Sequence, residues 1–333
     1  MSAPTRVERA IGELTDAFRQ AADESRTVDL RGAGTLLGGR DAPPEAIAVP
    51  AGMVDDVVSY EPADLVIRVG AGMTVEALDE ALAPHGQECP IDQVADGPST
   101  LGGRIASGLG GPRAGGIGPV RDHLLGLTIV RGDGRSAHVG GSTVKNVSGF
   151  DLPRLLCGSW GTLAAIVDVT LKLRPRPRWS GWYATEQRPD TWPILPHAPV
   201  ALIVTPDRTY VALEGHPRDA EEEAAVIGLE PSDAPMPVRG ARISVASGAS
   251  QLATSLGPDG WMLDALTGVI HLDTDVIDRD TAATLAAAAG GTYLDLSHDR
   301  RRVPGLIGHV AIHERLRDAL DPHRILAPWR LTP

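Results

Sequence analysis

Apolar side chains at Val7, Ile11, Leu14, Phe18 and Ala22 recur in steps of three and four, which sets them on one stripe of a helix over residues 4–23. The period then shortens. Residues 27–30 alternate as a short strand does and run directly into Arg31-Gly32-Ala33-Gly34-Thr35, and residues 65–69 read as a second strand entering Gly70-Ala71-Gly72. Val75, Leu78 and Leu82 mark a helix that Pro84 and Gly86 stop. Residues 87–121 are dense in glycine and carry little regular pattern. Residues 124–130 and 136–139 flank the turn Arg131-Gly132-Asp133-Gly134 and predict a hairpin.

In residues 164–173 the apolar Val167, Val169, Leu171 and Leu173 alternate with Asp168, Thr170 and Lys172, the pattern of a half-buried strand with a polar outer face. Arg174-Pro175-Arg176-Pro177 breaks it, because proline lacks a backbone donor and constrains its predecessor, so a domain boundary is placed near 175–180. Beyond it, residues 200–205 and 209–214 predict a second hairpin, and 217–227 and 281–289 read as Ala- and Glu-rich helices. Glu221-Glu222-Glu223 is expected to be a solvated helix face. The whole reads as α+β.

A length of 333 residues allows two packed units, and 42% hydrophobic with 22% charged residues is the balance of a globular chain. A balance of 31 basic against 43 acidic residues gives -12, which repels polyanions and argues against nucleic acid and anionic membrane as partners. No apolar run approaches the roughly 18 residues of a spanning helix, and the N-terminus lacks a signal-peptide core. Two cysteines, Cys89 and Cys157, build no disulfide framework. A cytoplasmic protein in a reducing compartment is expected.

Chemistry concentrates in glycine loops. Arg31-Gly32-Ala33-Gly34-Thr35 lets successive N–H groups converge on one point, which suits a diphosphate, although taken alone such a pattern is more often an ordinary tight turn. The Rossmann pattern is broken, since position 37 is Leu where a third glycine belongs. A second loop, Pro98-Ser99-Thr100-Leu101-Gly102-Gly103, adds hydroxyls to close-approach glycines. A third, Lys145-Asn146-Val147-Ser148-Gly149-Phe150-Asp151, leads into Leu155-Leu156-Cys157-Gly158-Ser159-Trp160-Gly161-Thr162-Leu163.

These three segments in this order, with Asp321-Pro322-His323-Arg324-Ile325-Leu326-Ala327-Pro328-Trp329-Arg330 closing the chain, resemble the FAD-binding domain of the vanillyl-alcohol oxidase and p-cresol methylhydroxylase family, most closely its glycolate-oxidase flavin subunits. The resemblance is firm over about residues 5–178 and returns in the last dozen. It implies an FAD-binding domain of two α+β subdomains over 1–178, a small α+β cap over 179–304, and a C-terminal helix and tail over 305–333 returning to the FAD domain. It assigns Arg31, Gly32, Ala33, Gly34 and Thr35 to the pyrophosphate. Pro98, Ser99, Thr100, Gly102, Gly103, Ala106 and Ser107 would line the ribityl chain and ring, Gly161 and Ile166 would hold the adenosine end, and Asn146 and Gly149 would add contacts from the third loop.

The departures shape the reading as much. Thr35-Leu36-Leu37 stands where relatives with covalent flavin carry histidine, and Cys89 sits before Pro90 in a pattern unlike that of cysteine-linked relatives, so the FAD is expected to be non-covalent. Ala164 replaces a frequent glycine. The histidine-rich cap motif of relatives that oxidise 2-hydroxy acids is absent. His309 and His313 share a helix face at i, i+4 but lack a third ligand, and Arg300, Arg301 and Arg302 read as a solvated basic turn, so no metal site and no catalytic residue is assigned. The resemblance implies an FAD-binding subunit of a glycolate-oxidase-type 2-hydroxy-acid dehydrogenase, with a larger flavin subunit and an iron–sulfur subunit as partners. A self-contained FAD oxidase of another substrate and a non-enzymatic assembly subunit stand as alternatives.

Overall fold

A computed structural model describes residues 3–35, 42–92, 98–141, 151–191, 198–235, 240–296 and 310–330. In chain order the elements are α1 (Arg6–Asp23), β1 (Val28–Arg31), β2 (Ile47–Pro50), β3 (Val57–Glu61), β4 (Val66–Gly70), α2 (Val75–Leu82), β5 (Gln87–Glu88), α3 (Leu101–Ser107), α4 (Ala114–Ile117), β6 (Leu124–Arg131), β7 (Ser136–Gly140), α5 (Leu152–Leu156), β8 (Ala164–Lys172) and β9 (Arg174–Pro175). Then follow β10 (Trp179–Thr185), β11 (Ala201–Val204), β12 (Thr209–Gly215), α6 (Pro217–Val226), β13 (Glu230–Ser232), β14 (Gly240–Ser244), α7 (Ala249–Ser255), β15 (Trp261–Asp264), β16 (Val269–Asp273), α8 (Arg279–Ala288), β17 (Thr292–Asp295) and α9 (Val310–Leu320). Helices pack on sheets that are antiparallel except for the parallel pair β1–β2, the α+β class that the sequence predicts.

Two compact units divide these elements. The first takes the described residues of Met1–Leu109, Pro119–Pro175 and Gly308–Thr332, and the second those of Gly110–Gly118 and Arg176–Ile307. In the first unit β8 is the middle strand of a sheet ordered β3-β4-β8-β6-β7. A capping box starts α1, in which the Glu8 N–H donates to Thr5 Oγ1 and the Thr5 N–H donates back to Glu8. Its buried Leu14 and Phe18 join Val28 of β1, Val49 of β2 and Ala165 and Val167 of β8 in one core. A second core, with Leu78 of α2 and Leu101 and Ile105 of α3, takes Ile166, Val169 and Leu171 of β8.

With cores on both sides, β8 is buried from Ala164 through Leu171, and the expectation of a polar outer face does not hold. Asp168 is fully buried because Arg68 on the neighbouring β4 donates to both its oxygens, at 2.8 and 2.7 Å, and to Thr128 Oγ1 at 3.0 Å. This fork also raises the Arg68 pKa. The glycine-dense stretch after residue 87 contains a helix, α3, whose Thr100 cap accepts from the Gly103 N–H at 3.2 Å.

In the second unit all pairings of the sheet β13-β10-β12-β11-β15-β16-β14-β17 are antiparallel. One face packs on α7 and α8 through Ile243, Trp261, Leu263, Ile270 and Leu272, and on α6 through Val211 and Leu213. Glu223 departs from the solvated face expected of its neighbours, since it lies on the inward side of α6 with Ala220 and Ala224 and is buried. No described helix is long and apolar enough to cross a membrane.

Candidate functional site

In the first unit a cleft lies where β1 and β8 deliver their loops. Gly32, Ala33, Gly34 and Thr35 form one wall, Thr100, Gly102, Gly103, Ala106 and Ser107 another, and Gly161 and Ile166 the end. Loops far apart in sequence are thereby brought together. The Thr35 hydroxyl donates to the Pro98 carbonyl at 3.3 Å, and a Cβ on Gly32 would come within 2.6 Å of Thr100 Oγ1. The Trp160 N–H donates to the Ala106 carbonyl at 2.7 Å, fastening the segment before β8 to α3.

The main-chain N–H groups of Gly32, Ala33, Gly34 and Thr35 donate to no described residue, and all four residues are exposed. Gly34 has φ +78, and a Cβ there would meet nothing within 4 Å, so the loop presents bare amides to open space. The second loop works differently. Its Gly102 N–H is taken by the Ala71 carbonyl at 2.8 Å, and a Cβ on Gly102 would press Ala71 at 3.0 Å, so this glycine brings backbone close instead of offering a donor.

Beneath the first loop lies a charged cluster. Asp29, 2% exposed, accepts from the Arg31 guanidinium on one oxygen and from Arg330 Nη2 on the other at 2.6 Å. Arg330 also donates to the Leu30 carbonyl at 2.6 Å and to the Trp160 carbonyl at 3.0 Å. One carboxylate between two guanidiniums leaves a net charge of +1 behind an array of free amides, an arrangement that attracts a polyanion such as a diphosphate. A dinucleotide with a diphosphate at its middle fits this cleft, and Gly32 to Thr35 are the residues that would hold it.

Three expected site residues do not line the cleft: the Arg31 side chain turns to Asp29, Pro98 contributes its carbonyl to Thr35, and Ser99 is fully buried with its carbonyl accepting from the Val75 N–H. Asn146 and Gly149 lie outside the described residues. Leu30, Ala51, Ala71, Trp160, Ala164, Ala165 and Arg330 line the cleft without having been predicted. Alanines carry no motif signal, and Trp160, at φ +54, holds a conformation that its residue type does not announce. Only the closing segment 321–330 pointed toward Arg330.

Cys89 is 1% exposed in the core, and burial raises its pKa; Cys157 is pushed up to about 11, also by burial. Neither lines the cleft. His309 and Arg300 to Arg302 lie outside the described residues. His313 is partly buried on α9, with its pKa lowered by burial and by Arg317. No group of three or more His, Cys, Asp or Glu that could hold a metal occurs among the described residues.

A sequence profile of the FAD binding domain matches residues 9–150. The glycolate oxidase subunit GlcE of Escherichia coli (strain K12) is 41% identical over 123 residues, 37% of this chain and 35% of that protein. D-lactate dehydrogenase of Archaeoglobus fulgidus is 39% identical over 166 residues, 50% of this chain and 37% of that protein. This chain thus spans little more than a third of these relatives. Among solved structures, an alkyldihydroxyacetonephosphate synthase superposes with a TM-score of 0.66 at 12% identity, covering 95% of this chain and 74% of that one, which shows a shared fold. Two walls of the cleft, Gly32 to Thr35 and Thr100 to Ser107, fall within residues 9–150, the stretch that matches an FAD binding domain of the p-cresol methylhydroxylase type, and the cofactor is FAD.

Proposed function

We propose that this chain is the FAD-binding subunit of a glycolate-oxidase-type complex that oxidises a small 2-hydroxy acid, with a larger flavin subunit and an iron–sulfur subunit as partners. The carrying observation is the row of four unengaged amides, Gly32 to Thr35, set over Asp29, Arg31 and Arg330 in a cleft walled by small residues. FAD supplies two-electron chemistry when bound. The chain's own part is to hold and orient it. Gly32 to Thr35 receive the pyrophosphate, the Thr100 to Ser107 wall faces the ribityl chain and ring, and Gly161 and Ile166 close on the adenosine end. Non-covalent attachment is supported by Thr35-Leu36-Leu37 at the place where histidine-linked relatives carry their histidine, and by Cys89, which is buried in the core away from the cleft.

The choice of complex rests on the likeness to GlcE and to a D-lactate dehydrogenase. Two cysteines are too few for the usual four cluster ligands, which puts the iron–sulfur centre on a partner. Two unpaired thiols suit a reducing compartment, the cytoplasm.

The test is a purified full-length chain. It is expected to carry visible flavin absorbance that acid releases, whereas Gly34→Asp, which puts a carboxylate into the amide nest, lowers FAD affinity at least about tenfold. Co-purification from the native host is expected to bring down an iron–sulfur protein and a second flavoprotein. A colourless wild-type chain that gains no thermal stability from added FAD would favour the assembly-subunit alternative.

A further inference from the structure

The sheet of the second unit has one face on α6, α7 and α8; on its other face polar groups gather. Alternation along the strands puts Arg242 of β14 and His271 of β16 on that face, directly opposite each other in the antiparallel register. Leu294 of β17 flanks Arg242, and Met262 of β15 flanks His271, so a row Leu294, Arg242, His271, Met262 crosses four strands.

Arg242 and His271 are half-buried, and neither has a hydrogen-bond or ion-pair partner among the described residues; Arg242 Nε is wholly buried. A charge drawn partly out of water without a partner is costly, and a structure that keeps one commonly does so for a ligand. The nearby carboxylate, Asp264, is already engaged: Oδ1 accepts from the N–H groups of Leu266 and Thr267, and Oδ2 accepts from the Thr267 hydroxyl at 2.6 Å. It moderates the field at Arg242 without occupying the guanidinium.

We propose that Arg242 and His271 form a binding site for a small carboxylate that bears a hydroxyl on the neighbouring carbon. The guanidinium fork takes the carboxylate through two parallel N–H donors. The imidazole takes the hydroxyl as an acceptor. It is free to do so because burial, with Arg242 beside it, lowers the His271 pKa to about 4 and keeps the ring neutral at physiological pH. Leu294 and Met262 provide the apolar margins against which a two- or three-carbon skeleton packs. The hydroxy-acid identity of the ligand rests on the function proposed above, whereas the carboxylate site itself does not.

The test is a ligand-observed NMR titration of the full-length chain with glycolate and with acetate, flavin absorbance being recorded for every sample. Glycolate is expected to bind more tightly than acetate. Arg242→Met should weaken both at least about tenfold, and His271→Leu should abolish the preference for glycolate while leaving acetate nearly unchanged. If Arg242→Met does not fold, Arg242→Lys, which keeps the charge and removes the fork, is expected to weaken both ligands. Equal affinities in wild type and Arg242 variants, or no binding of either acid to the wild-type chain, overturns the site. A chain that binds glycolate through Arg242 and retains no flavin supports the site and counts against the proposed cofactor role.

Discussion

Arg330 and Arg242 are both drawn out of water, one in each unit, and are satisfied to opposite degrees. Arg330, 5% exposed, donates to the Asp29 carboxylate and to the carbonyls of Leu30 and Trp160. Arg242 meets none among the described residues. The first arrangement locks three segments of the cleft wall into one geometry and leaves little of that guanidinium for a ligand. The second keeps a cation ready. Burial alone does not separate a scaffold residue from a binding residue; the number of acceptors already in place does.

The largest expected effect comes from breaking the satisfied arginine. Arg330→Met leaves Asp29 with Arg31 alone and two buried carbonyls without their donor, and is expected to cost about 2–4 kcal/mol of stability in urea unfolding of the FAD-free chain. FAD affinity falls with it, because the Leu30 and Trp160 carbonyls that frame the cleft lose their common anchor. A loss below about 1 kcal/mol would mean that the C-terminal segment rests on the cleft without holding it.

Arg242→Met should behave in the opposite way. Removing a partly buried charge that has no partner is expected to leave stability within about 1 kcal/mol of wild type, on either side, with urea midpoint as the measurement. A loss as large as that of Arg330→Met would show that Arg242 holds the sheet together, and the contrast between the two residues would collapse.

The contrast also shows what a sequence can disclose. α1, both hairpins and α6 and α8 were legible, because their apolar spacing and turn residues lie within a few positions of one another. Asp168 was misread as outward-facing because its partner Arg68 is 100 positions away, and periodicity sees no such distance. α3 was missed because Gly102 and Gly103 are poor helix formers; Leu101 and Ile105 in the core and the bond from Gly102 to Ala71 hold it instead. At the cleft, glycine loops announced themselves, since few other residues tolerate such backbone. Arg330 did not, being 301 positions from Asp29. Arg242 and His271 lie on β14 and β16, for which no element is predicted from the sequence, and only the strand register puts them side by side.

The smallest effect, and the sharpest on the second unit, is in pH dependence. His271 has a pKa of about 4 in the folded chain against an ordinary value of 6.5, with burial as the main cause and Arg242 as the second. Between these values the unfolded chain takes up a proton that the folded one refuses, so stability is full above about pH 6.5 and falls as pH drops toward 4. The charged groups of neighbouring strands on that face are Arg242 and Asp264, with Asp273 on the same strand; Asp264, whose pKa burial raises, holds its proton more readily in the folded chain and so opposes this fall as pH drops. His271→Leu is expected to flatten the fall in thermal midpoint between pH 6.5 and 4. The difference should be on the order of 1 kcal/mol, since the ring is only half-buried and solvent screens it. Glycolate should flatten the wild-type curve similarly, because a carboxylate seated on Arg242 offsets the positive charge that depresses the imidazole. A wild-type curve indifferent to both the substitution and the ligand would mean that His271 stays in water and Arg242 has no neutral neighbour to share a ligand with.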